Sequence, residues 1–288
     1  MVISLIKKIL KIPYIRSLNF ILSRRENKKY DLIDILDNKY KVIKGTWPGK
    51  PDYDDAWLLL LSQRAKIVFD IGCHMGKSAL IISQSQSVQK IVLVDPNPIS
   101  LSIAAKNLIQ NNLSSHSIFI PKAAYNKSDE NLQLWTMKGA FSGASIDKSF
   151  TETGSITNNY FDVKTITLDD IVKTNNLYPD LIKIDVEGAE HSVLQGCRNI
   201  AMRSDAVFII EVHSSESLHI TENTDKILKW CIENNYKAFY LKKHIEIQDS
   251  KLVKSRGRYH LLLIHTDKEY PKGLNNVVQG EKINNISL

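Results

Sequence analysis

From residue 54 to residue 265, short β-rich apolar runs alternate with segments of helical period, and this alternation restricts the fold more than any other feature. Residues 67–71, 90–95, 117–120, 181–185 and 206–212 read as strands, and 77–85, 99–111, 168–174, 189–195 and 224–234 as helices. Asp54 or Asp55 is placed to cap a further helix reaching Leu61, with acidic side chains at its positive end. Residues 236–241 and 259–265 read as a final strand pair. A chain of this pattern packs helices on both faces of a largely parallel sheet. The stretch 123–166 departs from it, being rich in Gly, Ser, Thr and Asn, with strand-like pieces at 132–136 and 161–166. Residues 271–288 lack periodicity and are expected to form a loosely held tail.

In open α/β sheets ligands bind at the carboxyl ends of the strands. The first such end is Val68-Phe69-Asp70-Ile71-Gly72-Cys73-His74-Met75-Gly76. Gly72 and Gly76 would let the backbone come close to a ligand. Their spacing is GxxxG, which weighs against the GxGxxG turn of dinucleotide folds. Asp70 would repel a pyrophosphate but suits an ammonium or sulfonium group. The second strand ends Asp95-Pro96-Asn97-Pro98, where the Asp95 carboxylate is suited to accept two ribose hydroxyls. Cys73 and His74 read as packing or hydrogen-bonding residues of the turn. Together these features resemble the S-adenosylmethionine pocket of Rossmann-like methyltransferases.

A second signal is Asp180-Leu181-Ile182-Lys183-Ile184-Asp185-Val186-Glu187-Gly188-Ala189-Glu190. Lys183, Asp185 and Glu187 alternate along the strand end and share one face until the turn begins. Burying such groups is costly unless they pair or take part in chemistry. The next apolar strand ends with Glu211 and His213. With VFDIGCHMG, VDPNP, KAAYN, TITLDD, KIDVEGAE and IIEVH, the chain resembles the FkbM family of S-adenosylmethionine-dependent O-methyltransferases over about residues 65–265. The resemblance implies a Rossmann-like fold with a mostly parallel seven-stranded sheet. It implies a cofactor pocket lined by Asp70, Gly72, His74, Gly76, Asp95, Pro96, Asn97, Ala123 and Ala124. It also places Asp185, Glu187, Glu211 and His213 toward the methyl donor or acceptor. Cys73-His74 stands where the family usually has Ala-Asn.

Methyl transfer to a hydroxyl needs an aligned acceptor and removal of its proton. His213 is the natural base near neutral pH, with Asp185 as the alternative or as its orienting partner. A second version uses Mg2+ on Asp185 and Glu211 to lower the acceptor's pKa. The Gly139–Ser145 segment is suited to close over a cofactor, with Ser142 or Ser145 in contact, and Trp47 to wall an acceptor site.

The net charge of +7 is local. Residues 1–30 hold eight Lys or Arg against one Glu, whereas the other 258 residues carry 30 charges of each sign. A nucleic-acid-binding domain more often shows a basic face across its fold, so nucleic acid is a weaker expectation than a small-molecule or glycan acceptor. Residues 2–12 form an amphipathic pattern that suits an anionic membrane surface, or packing on protein, including a second copy in a homo-oligomer. Three widely spaced cysteines and the lack of an apolar run of membrane-spanning length fit a cytoplasmic protein, peripheral to a membrane at most. The expected organisation is a basic arm with a helical extension over 1–53, a methyltransferase domain over 54–270 and the tail. A cofactor-binding scaffold without activity and a nucleic-acid-modifying enzyme are the alternatives.

Overall fold

The computed structural model describes residues 29–47, 52–135, 160–203, 205–214 and 218–286. The amphipathic stretch 2–12 and the Ser142 loop lie outside the described residues. The chain divides into two units, Met1–Gly49 and Lys50–Leu288.

In the first unit, β1 (Tyr30–Ile35) and β2 (Asn38–Ile43) form an antiparallel hairpin, paired from Tyr30 opposite Ile43 to Ile35 opposite Asn38. The expected helical extension is therefore corrected over these residues. The β-formers Ile33 and Ile35 alternate with polar residues before the turn, and Tyr40 and Val42 do so after it, a strand period rather than a helical one. The turn closes on Leu36, whose φ is 52°. Trp47 ends this unit's described stretch.

The second unit begins with α1 (Asp55–Ser62), followed by β3 (Ile67–Ile71), α2 (Lys77–Ile82), β4 (Lys90–Val94), α3 (Pro98–Gln110) and β5 (Ser117–Ile120). A small three-stranded sheet interrupts the alternation: β6 (Ala123–Ala124), β7 (Asn131–Trp135) and β8 (Tyr160–Ile166), with β8 central. Then come α4 (Leu168–Asn175), β9 (Leu181–Ile184), α5 (Glu190–Gln195), α6 (Arg198–Met202), β10 (Val207–His213), α7 (Ile220–Glu233), β11 (Tyr236–Tyr240), β12 (Ile245–Glu246) and β13 (Arg258–His265).

The main sheet runs β12-β11-β13-β10-β9-β3-β4-β5. It has eight strands, the eighth being the two-residue edge strand β12. Strands β5, β4, β3, β9 and β10 are parallel, in the doubly wound order, and β13 enters antiparallel between β10 and β11. Strand order reverses between β3 and β9, which makes the crevice at their carboxyl ends the expected ligand site. These strands are nearly continuous apolar runs because helices cover both faces.

The expected loose tail is also corrected. Leu274 is fully buried, Val277 and Ile283 are nearly so, and the Trp57 indole N–H donates to the Val277 carbonyl at 3.0 Å. Short 3-10 turns at Leu274–Asn276 and Ile283–Asn285 pack on α1, so single anchors replace any helical period. Cys73, Cys197 and Cys231 are buried free thiols. Among the described residues, no helix is long and apolar enough to cross a membrane.

Candidate active site

The turn after β3 brings the first predicted residues together. Asp70 is fully buried, and its Oδ2 accepts from the Ser78 hydroxyl at 2.6 Å. Its Oδ1 has no hydrogen-bond partner, and burial pushes the carboxyl up to about 6. Asp95 is buried after β4; its Oδ2 accepts from the His74 N–H and its Oδ1 from the Asn97 N–H, both at 2.8 Å. Each Asp95 oxygen so keeps lone-pair capacity for a further donor. Burial raises its pKa, against the pull of these two N–H groups.

Three residues expected to line the pocket also serve the local fold. A Cβ on Gly72 (φ 81°) would sit 1.8 Å from the Asp185 carbonyl oxygen, so the neighbouring backbone requires this glycine. A Cβ on Gly76 (φ 85°) would meet the Ala104 Cβ at 3.0 Å, so here the glycine serves helix packing. Asn97 caps α3, its Oδ1 accepting from the N–H groups of Ile99 and Ser100. Pro96 is half-buried beside it, and Ala123 and Ala124 are buried in β6, paired with Thr165 and Ile166. Burial raises the Cys73 thiol well above its usual range, which keeps it protonated. Gly72→Ala is expected to cost about 3 kcal/mol or more, combining overpacking with a left-handed alanine. Urea unfolding measures this, and a loss under about 1 kcal/mol would contradict the close approach.

The second cluster lies at the ends of β9 and β10. Lys183, buried opposite Asp70, donates to Asp185 Oδ2 at 2.9 Å and lies 3.9 Å from Asp54 Oδ2. Asp54, one of the two residues placed to cap α1, makes no side-chain cap and is buried beside Lys183. Burial opposes charge on both Lys183 and Asp185. Their mutual attraction wins, raising the Lys183 pKa and, with His213, holding Asp185 at about 2.

His213 is nearly buried and faces four carboxylates. Its Nδ1 pairs with Glu190 Oε1 at 2.9 Å; its Nε2 lies 3.3 Å from Glu187, 3.7 Å from Glu211 and 3.8 Å from Asp185. Burial disfavours its charge, but the Glu190 hydrogen bond and the surrounding acids lift its pKa to about 10. This favours the imidazolium at neutral pH over the neutral base expected from the sequence. Glu187 adopts φ 54° just before Gly188 at φ 103°, so it leaves the strand line and turns toward His213. Its side chain is 30% exposed, and burial, reinforced by the other acids, pushes it up to about 7 despite His213.

Sequence reading missed Glu190, Asn223, Arg258 and His260. Glu190 is fully buried; it accepts from the Gly188 N–H at 2.9 Å and from the Asn223 amide at 2.8 Å. Arg258 Nη1 lies 2.8 Å from Glu211 Oε1, and His260 Nε2 lies 3.5 Å from Glu211 Oε2. The signal for the last two was the polar pair at alternate positions opening an otherwise apolar strand. Asp185, Glu211 and His213 offer ligand atoms all within 4.8 Å of one another. Lys183 and Arg258 already pair with the two carboxylates, and Nδ1 of His213 is taken by Glu190.

Residues 70–238 match the FkbM methyltransferase domain. A curated relative, hexuronic acid methyltransferase AglP of Haloferax volcanii, is 28% identical over 158 residues, which is 54% of this chain and 60% of that protein. The chain thus spans less than two thirds of that relative's length. Among solved structures, methyltransferase FkbM of Methylobacillus flagellatus is 15% identical with a TM-score of 0.45, covering 69% of this chain and 43% of that one. An O-methyltransferase of Bacillus cereus in complex with SAH is 15% identical with a TM-score of 0.43, covering 73% and 79%. With the domain match spanning more than half of its length, the chain belongs to the FkbM methyltransferase family.

Proposed function

We propose that the protein is an S-adenosylmethionine-dependent O-methyltransferase acting on a hydroxyl of a saccharide or related small molecule. The observation that carries this reading is one sheet edge holding two sets of groups. One set suits the cofactor: the unpartnered Asp70 oxygen, the Asp95 carboxylate with spare acceptor capacity and the permanently ionised Asp185. The other set, Glu187 held by His213, suits proton transfer at Glu187. The residues therefore fit a ligand with ribose hydroxyls and a cationic amino-acid end. When bound, the cofactor supplies an electrophilic methyl group on sulfur. The relative that acts on a hexuronic acid supports a sugar acceptor.

In the proposed mechanism Glu187 is the base. A carboxyl that titrates near 7 is matched to accepting a hydroxyl proton at neutral pH. His213 stays protonated, anchored by Glu190, and orients Glu187 through Nε2. Asp185 stays anionic and offsets positive charge at the strand end. The pairing of Lys183 with Asp185 and of Arg258 with Glu211 favours this metal-free version over one through Mg2+.

Calorimetric titration with S-adenosylmethionine tests the reading. Asp95→Asn should weaken binding about 10- to 100-fold, as expected when a charged hydrogen-bond acceptor is lost. Equal affinity in both forms would reject the cofactor assignment. Methyl transfer should persist in EDTA, and loss restored by Mg2+ would replace the metal-free version.

A further inference from the structure

Beside the Glu211 end of the site lies a pocket of about 600 Å³. That volume is on the scale of small-molecule sites. Tyr53, Lys242, Arg256, Arg258, His260 and Gln279 line it, and no carboxylate is among its lining residues. Described residues outside the basic arm are otherwise mixed in sign, so three cations without an acid are a local concentration of positive charge. Arg258 is engaged: it holds Glu211 at 2.8 Å, lies 5.4 Å from the centre of the Tyr53 ring and feels Asp52. Among the described residues, Lys242 and Arg256 pair with no carboxylate. His260 is 2% exposed in the same wall, and its Nδ1 has no hydrogen-bond partner. Such an unpartnered buried polar atom costs free energy unless a ligand or water satisfies it.

The register locates the pocket against the reacting groups. His260 is directly opposite Glu211, and Arg258 directly opposite His213. A molecule seated here therefore lies at the same carboxyl edge of the sheet as Glu187.

We propose that this pocket is an anion subsite for the acceptor, holding the carboxylate or phosphoryl group of an acidic saccharide while another part of the sugar reaches Glu187. Lys242 and Arg256 contact the anion; Tyr53 supplies an aromatic face and Gln279 an amide for the sugar. Arg258 pairs with Glu211 between the two halves of the site. The proposal rests on the methyltransferase reading, which identifies the neighbouring cluster as the reacting centre.

The test is calorimetry on the full chain with S-adenosylhomocysteine present, using four probes: an oligogalacturonate, glucose 1-phosphate, neutral cellotetraose and a short single-stranded RNA. Wild type should bind at least one acidic sugar about 10-fold or more tighter than cellotetraose. The better of the two acidic probes distinguishes carboxylate from phosphate. Lys242→Gln combined with Arg256→Gln should remove most of that preference, leaving the melting temperature and S-adenosylhomocysteine affinity unchanged. Equal binding of acidic and neutral sugars, a preference untouched by the double variant, or RNA outcompeting both sugars would each overturn it. Failure of S-adenosylhomocysteine to bind would instead remove the methyltransferase reading, while the sugar preference is still measured.

Discussion

Glu187→Gln is expected to lower kcat about 10²- to 10⁴-fold, the range for loss of a general base. The substitution keeps size and hydrogen-bonding capacity but removes the ability to take a proton. Its neighbours sharpen the expectation. Glu187 titrates at about 7 and is the most exposed carboxylate around His213, whereas Asp185 is held at about 2 and His213 is protonated up to about 10. Of these three, only Glu187 gains and loses a proton near neutrality. It works as the carboxylate, so wild-type activity should fall as pH drops through about 7. In the Gln variant that acid limb should vanish from the residual rate. A kcat within a few-fold of wild type, or an unchanged limb, would move the base elsewhere.

Glu190→Ala should be among the most damaging substitutions for stability, at about 3–5 kcal/mol, the cost of breaking a buried ion pair by removing one partner. The fully buried carboxylate serves the Gly188 N–H, the Asn223 amide and His213 Nδ1. The pH dependence follows from His213, whose pKa is raised from 6.5 to about 10 in the folded protein. Its contribution is fully present below about 6.5 and is lost as pH rises through about 10. The gap between wild type and variant in urea unfolding should therefore narrow as pH rises from 7 toward 10. A deficit below about 1 kcal/mol at pH 7 would show that the network contributes little. Glu190→Gln provides a variant closer in shape should the alanine form fail to fold.

The central strands were legible because apolar runs covered on both faces leave little ambiguity, and β5 falls on its expected residues. Helix α7 begins four residues before its expected start. Asn223 and Thr224 are polar yet fully buried, so they hid the apolar period at its first turn. The hairpin at residues 30–43 was lost among lysines and aspartates, whose charge masked the alternation of Ile33, Ile35, Tyr40 and Val42. At the site, the convergence of Asp70, Asp95, Asp185, Glu211 and His213 followed from parallel topology alone. The protonation state of His213 did not, because it depends on Glu190, which sits 23 positions away in sequence and 2.9 Å away in space. Arg258 and His260 depend on the antiparallel register of β13, which no local pattern announces.

The insertion of β13 between β10 and β11 also sets an order of assembly during synthesis. Until β13 emerges from the ribosome, β10 has no neighbour on that side and presents an open hydrogen-bonding edge. Glu211 meanwhile waits for Arg258 and His260. An unpaired apolar edge is a template for intermolecular pairing. The nascent chain therefore passes through an interval in which β10 is most open to misassociation, and that interval closes only when the last long strand slots into place.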